Sequence, residues 1–210
     1  MIALWIIPYN MIRDKTRTQK LYSPIIEWNN NDLVSAFNRR VSVFSNKDSD
    51  HFASITSSLD NAERDGLLKL SNKNPRDLWH LCDKVFRAQY RIDPNCAAIS
   101  KTAFEIGMDE FVKGFNFFEY YPRPVRAKSN SLDVYSYAKH LLKLKNKEFT
   151  KNQLNEQAGI GASIHNYVAG MRSMGLIEET GNAGGSTTYL IRDPKIVHAL
   201  ERGLEISKNA

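Results

Sequence analysis

Cysteine is scarce: two in 210 residues, Cys82 and Cys96. Neither has a Cys or His neighbour at metal-ligand spacing, so a disulfide framework and a zinc site are both excluded, and two reduced thiols are expected. Long apolar runs are missing too. Nothing reaches the length of a membrane span, and the short stretch Met1 to Ile7 has neither a preceding basic segment nor a small-residue cleavage site. A soluble, cytoplasmic protein is the expectation. There is no G-x-x-x-x-G-K-S/T loop to cradle phosphates and no apolar strand ending in an Asp-Glu pair for magnesium. The five histidines (51, 80, 140, 165 and 198) are scattered, and no Ser or Cys nucleophile carries a local signature. Catalysis by this chain, a bound metal and a cofactor of its own are therefore not expected. Repeats and long low-complexity tracts are absent as well.

What is present is a globular composition with a basic balance. Hydrophobic residues make up 42% and charged residues 25%, with a net charge of +6 and a pI near 9.2. That balance permits a nucleic-acid partner without specifying a site.

Ile2 to Ile7 has the continuous apolar character of a strand buried on both faces, stopped by Pro8. No similar strand follows nearby, so the chain reads as starting partway through a larger α/β unit. A polar, mostly basic connector, Arg13 to Lys20, comes next. After the extended segment Ser23 to Trp28, Asn30 or Asn31 can cap a helix with Leu33, Val34, Phe37 and Val41 inward. Two short helical patterns span Phe52 to Leu59 and Ala62 to Leu70. Asn74 is then a good N-cap and Pro75 a good first residue for a helix through Leu78, Leu81, Cys82, Val85, Phe86 and Ala88 to about Tyr90. Arg76 falls in its first turn, where the helix dipole disfavours a cation. A helix capped by Ser100 runs towards Phe115. The aromatics of this region (Phe104, Phe111, Phe115, Phe117, Phe118, Tyr120, Tyr121) could stack on bases, but their helical spacing favours core. Pro122 to Asn130, with two prolines, three basic residues and no apolar periodicity, is the best domain boundary in the chain.

Leu132 to Asp193 carries the most pattern. Apolar positions 134, 137, 138, 141, 142 and 144 give one helical face. Thr150 and Gln153 form a capping-box pair for a second, short helix carrying Leu154 and Ala158. Gly159-Ile160-Gly161 makes a turn, and a third helix runs from about Ala162 to Met174, with Ile164, Val168 and Met171 inward and Gly175 at its end. Two β-type runs, Leu176 to Thr180 and Thr187 to Ile191, flank Gly181 to Ser186 as a hairpin. A helix-turn-helix followed by a hairpin resembles a winged helix-turn-helix domain. The predicted fold is mainly α: a helical bundle followed by a winged helix with a small β-hairpin.

Residues 1–120 resemble the end of an AAA+-type P-loop ATPase, in the group that includes origin-recognition and initiator ATPases and bacterial signalling ATPases. The strand Ile2 to Ile7 with Arg13 and Arg17, the segment SPIIEWNNNDLVSAFNRRVSVFS and the segment NKNPRDLWHLCDKVFRAQY carry the resemblance. It implies a remnant of the α/β core over 1–20, a helical lid over 21–121, a linker over 122–131 and a winged helix over 132–202. It also implies that Arg76 matches the sensor-2 arginine, whose guanidinium would reach nucleotide phosphates. ATP would enter only with an upstream core that this chain lacks.

For a winged helix on double-stranded DNA, the third helix enters the major groove. Its outward residues Ser163, His165, Asn166 and Arg172 are the candidate contacts, with Asn166 matched to adenine and Arg172 to guanine by donor and acceptor pattern. Lys151 at the second helix start and Asn182 in the loop of the hairpin are candidate phosphate contacts. The hairpin itself carries no Lys or Arg. Two other readings stay open: a protein-interaction module that meets an upstream ATPase core or associates with itself, and a free-standing winged-helix regulator. No membrane partner is expected.

Overall fold

Asn29 opens the first described helix: its side chain accepts from the Asp32 N–H, and the Asp32 carboxylate accepts from the Asn29 N–H. The computed structural model describes residues 27–48, 51–122 and 131–208; the expected strand Ile2 to Ile7, the expected connector with Arg13 and Arg17, and residues 123–130 of the expected linker lie outside the described residues. Among those described, the chain is mainly helical with one small antiparallel sheet. No helix among the described residues is long and apolar enough to cross a membrane.

Helix α1 (Asn30–Phe44) buries Leu33 and Phe37, while Val34, expected to face inward, is 39% exposed. The cap sets the start at Asn30, and the buried stripe follows Leu33 and Phe37 with Val41 beside it, leaving Val34 on the rim. Phe37 stacks on Trp79 with ring centroids 5.0 Å apart, and the Arg40 guanidinium lies 4.5 Å over the Trp79 ring. Aromatic and cation–π contact thus fasten α1 to the next long helix. A short turn of helix, α2 (Phe52–Ile55), and α3 (Asn61–Leu70), opened by an Asp60/Glu63 capping box, follow.

Helix α4 (Pro75–Ile92) begins as its sequence dictates: Asn74 accepts from the N–H groups of Arg76 and Asp77, and Pro75 takes the first position. Its buried stripe is Leu78, Leu81, Cys82, Val85 and Ala88. Each fully buried leucine there is worth about 1.5–3 kcal/mol. Burial alone pushes the Cys82 thiol up, so this cysteine is an inert packing residue. Helix α5 (Lys101–Lys113), capped by Ser100, packs against α4 where Gly107 meets the Val85 backbone.

Helix α6 (Val134–Leu141), strand β1 (Glu148–Thr150), α7 (Lys151–Ala158), α8 (Ile164–Ser173), β2 (Ile177–Ala183), β3 (Ser186–Ile191) and α9 (Pro194–Arg202) complete the order. The sheet runs β1-β3-β2, all antiparallel, with Phe149 opposite Tyr189 and Ile177 opposite Ile191. Strand β1 adds a third strand to the expected hairpin. The hairpin strands reach further towards the tip than the apolar pattern suggested, because backbone pairing continues through polar residues as far as Ala183 opposite Ser186.

The last helix joins the two halves. Asp193 caps α9 and also accepts from the Tyr121 hydroxyl, at 2.8 Å. Lys195, fully buried, reaches Asp77 at the start of α4 with 2.9 Å between Nζ and Oδ2. Its ammonium lies 4.3 Å over the Phe115 ring and 4.9 Å over Tyr120. The Tyr120 hydroxyl donates to the same Asp77 oxygen at 2.9 Å and is itself met by the Asn74 side-chain amide. The aromatic segment 115–121 is therefore core and hub, as its spacing suggested.

Candidate nucleic-acid interface

Helix α7 starts because Thr150 and Gln153 cap it reciprocally: Gln153 N–H donates to Thr150 Oγ1 at 3.3 Å, and Thr150 N–H to Gln153 Oε1 at 2.7 Å. It stops because Gly159 turns left-handed, with φ +67°, which only glycine adopts without strain. Gly161, at φ +75°, opens one turn of 3-10 helix over Gly161–Ser163, and the Gly161 N–H donates to Asn155 Oδ1 at 2.7 Å. This turn sets the angle of α8 against α7.

Ile164, Val168 and Met171 hold α8 to the core. Tyr167, half-buried, meets Tyr137 edge-on at 5.9 Å and the His140 ring at 4.9 Å, both on α6. Gly170 lies against the Tyr137 ring, so α6 and α8 approach closely. The opposite side of α8 is left to solvent. Ser163, His165, Asn166, Ala169, Arg172 and Ser173 are all exposed there. The helix thus presents one exposed, mostly polar face, touched only at its two ends by side chains of neighbouring elements.

The structure brings some of the candidate residues together. Lys151, the first residue of α7, places Nζ 3.3 Å from His165 Nδ1. Arg172, in the last turn of α8, pairs with Glu179 of β2 at 3.3 Å. Arg192, just beyond β3, pairs with Glu178 at 3.3 Å. Asn182 is exposed near the hairpin tip, beyond the irregularity between Glu179 and Gly181. Asn166 projects from the middle of the exposed face.

Arg76 lies elsewhere, at the start of α4. Its guanidinium pairs with Glu119 at 3.2 Å, and both side chains remain partly open to solvent. The residue beside it, Asp77, is the buried one. Sequence reasoning singled out Arg76 and missed Asp77, because the partner that explains a buried carboxylate, Lys195, lies far along the chain. The weak signal was a lysine, Lys195, within the apolar pattern Ile191 to Leu200. Asp109 was missed in the same way. It accepts from Arg202 and from His198, the latter at 2.8 Å. Burial opposes its charge, but these two hydrogen bonds hold the carboxyl below its usual value.

Among the described residues no group of His, Cys, Asp and Glu is placed to hold a metal ion. Searches of protein-family models, curated proteins and solved structures find nothing that matches this chain.

Proposed function

We propose that this chain is the lid-like and winged-helix region of an AAA+-like ATPase, with no catalysis of its own, and that its winged helix binds double-stranded DNA through α8. The observation that carries the reading is the exposed, mostly polar face of α8, with Ser163, His165, Asn166 and Arg172 outward and Ile164, Val168 and Met171 anchored below. A helix held by one face, with amide, imidazole and guanidinium groups on the other, has the form of a major-groove reader. The order of elements, helix-turn-helix then a hairpin closed by a third strand, fits a winged helix. In this reading Lys151 and Asn182 hold the backbone, Asn166 and Arg172 read base edges, and Arg172 leaves Glu179 on binding. Arg76 retains the position of a sensor-2 arginine, and a nucleotide presented by an upstream core would take it from Glu119.

Titration of a fluorescent duplex pool of random sequence against the full chain, at rising salt, tests the reading. Affinity should fall steeply with salt, and on a duplex enriched from the pool by selection with this chain Asn166→Ala and Arg172→Ala should each weaken binding by about tenfold, a loss of one base contact. Absence of measurable binding at low salt overturns it.

A second reading has its own observation. Phe86, Tyr90 and Ile92 on α4 and Ile106 on α5 are exposed, with Phe86 and Tyr90 lining a groove with Ile55, Pro94 and Cys96. An apolar groove lined by exposed aromatics suits a protein surface, such as an upstream core or a second copy.

A further inference from the structure

The cations around the hairpin and the last helix are already occupied. Arg172 and Arg192 pair with Glu179 and Glu178, Lys195 with Asp77, Arg202 with Asp109 and Lys208 with Asp133. A hairpin that carries carboxylates beside each arginine is a poor surface for a phosphate backbone.

A different edge has the opposite character. Lys139, Lys143, Lys145, Lys147 and Lys151 fall within thirteen residues that hold only one acid, Glu148. Among the described residues none of these five lysines forms an ion pair, and Lys139, Lys143, Lys145 and Lys147 are exposed. Two of the ammonium groups make polar contacts, neither of them with a carboxylate. Lys143 Nζ lies 3.4 Å from the Ala158 carbonyl at the end of α7, and Lys151 Nζ meets His165 at its start. One lysine thus sits at each end of α7, and the second touches the exposed face of α8.

The backbone beneath these side chains is fixed. Lys145 N–H donates to Gln157 Oε1 at 2.8 Å, and the Lys147 carbonyl accepts from Ile191 at 3.0 Å. The charge is therefore presented by an anchored connection between α6 and β1. The local field is positive enough to register on a neighbour: burial, then Lys143 and Lys139, hold His140 below its ordinary value.

We infer that the lysine edge formed by Lys139, Lys143, Lys145, Lys147 and Lys151 is the main phosphate-binding track of this protein, with the hairpin adding only the uncharged contact of Asn182. The inference rests on the DNA-binding reading and moves its electrostatic share from the hairpin to the α6–β1 connection. Five like charges along one connected stretch with a single acid repel one another, and a polyanion relieves that repulsion while releasing its own condensed counterions.

The test compares two triple variants of the full chain that remove equal charge. Lys139→Gln with Lys145→Gln and Lys147→Gln strips the edge at side chains that form no hydrogen bond or ion pair among the described residues. Lys69→Gln with Lys73→Gln and Lys113→Gln removes exposed lysines of the helical half. Both are titrated with the random duplex pool alongside the unaltered chain, and their unfolding midpoints are recorded. The edge variant should lower the salt slope by about 3, so its affinity deficit against the unaltered chain should shrink by about 40-fold between about 50 and 200 mM salt. The control triple should keep most of the slope. Equal losses from both triples would reduce the effect to net charge and overturn the inference, as would an unchanged slope in the edge variant while the unaltered chain binds. If the unaltered chain binds no duplex, the DNA-binding reading falls and the lysine track with it.

Discussion

The Lys195 ammonium lies 2.9 Å from Asp77 Oδ2, and both residues are removed from solvent. Asp77 takes the Tyr120 hydroxyl on the same oxygen, and Lys195 is roofed by Phe115 and Tyr120. A buried pair of this kind is costly to break from one side, because the surviving charge keeps its desolvation cost without its partner.

Asp77→Ala should therefore destabilise the protein by about 3–5 kcal/mol. Lys195→Met, which leaves Asp77 with the Tyr120 hydroxyl, should be less severe. The double variant should be more stable than the sum of the two losses implies. Urea unfolding of the four proteins in a double-mutant cycle measures this coupling, and strict additivity would show that the pair does not act as a unit.

Gly107 sits where α5 crosses α4. A Cβ placed there meets the Val85 backbone, including its nitrogen at 2.6 Å. Relief requires the two helices to separate, since backbone cannot rotate away. Gly107→Ala should cost about 3 kcal/mol despite its gain in helix propensity. An unfolding midpoint equal to that of the unaltered protein would show that the crossing yields.

His140 sets a pH dependence of defined sign. Burial is the largest influence on its imidazole, followed by Lys143 and Lys139, and all three disfavour the charged form; the Ala158 carbonyl opposes them. Tyr167 packs on the ring from α8. With the folded value below the usual value of about 6.5, the unfolded chain binds the proton first as pH falls. The stability His140 contributes is complete above pH of about 6.5 and declines below it. Melting at pH 7.5 and 5.5 should show a larger loss for the unaltered chain than for His140→Gln. Asp109 and Asp133, both held low despite burial by their hydrogen bonds, act only in stronger acid, below pH of about 4.

In the DNA-binding reading, Glu179 competes with the duplex for Arg172. Their pair is half exposed, so it contributes under about 1 kcal/mol to the fold. Glu179→Gln should leave the melting temperature unchanged while tightening duplex binding several-fold. Weaker binding would instead show that the carboxylate aims the guanidinium productively.

Local signals in this chain were legible wherever one turn of backbone decides the outcome. Asn74 with Pro75, Ser100, Thr150 with Gln153, and Gly175 at φ +76° all act where the residue types place them. The buried stripes of α4 and α8 follow the same logic, since a period of 3.6 is written in consecutive residues. Strand β1 was not legible: three residues, Glu148–Thr150, carry too little alternation, and their pairing depends on where β3 comes to lie. Asp77 with Lys195, and Asp109 with His198 and Arg202, were hidden for a related reason. Each is a meeting of elements remote in sequence, and a lone charge in an amphipathic helix reads as surface until its counter-charge is placed. Of the candidate face, the outward positions of α8 were readable from helical phase, whereas the capture of Arg172 and Arg192 by neighbouring glutamates required the geometry of the hairpin.

The helix that closes the chain bears on how the protein can be divided. Lys195 and Asp193 belong by sequence to the hairpin half, yet their side chains answer to Asp77 and Tyr121 of the other. Excising residues 131–208 would carry away a lysine that has lost its counter-ion and its aromatic roof. Ending the chain before Pro194 would leave Asp77 facing an empty slot at the head of α4. A cut in the proline-rich connection therefore does not yield two self-sufficient pieces, because the final helix completes both.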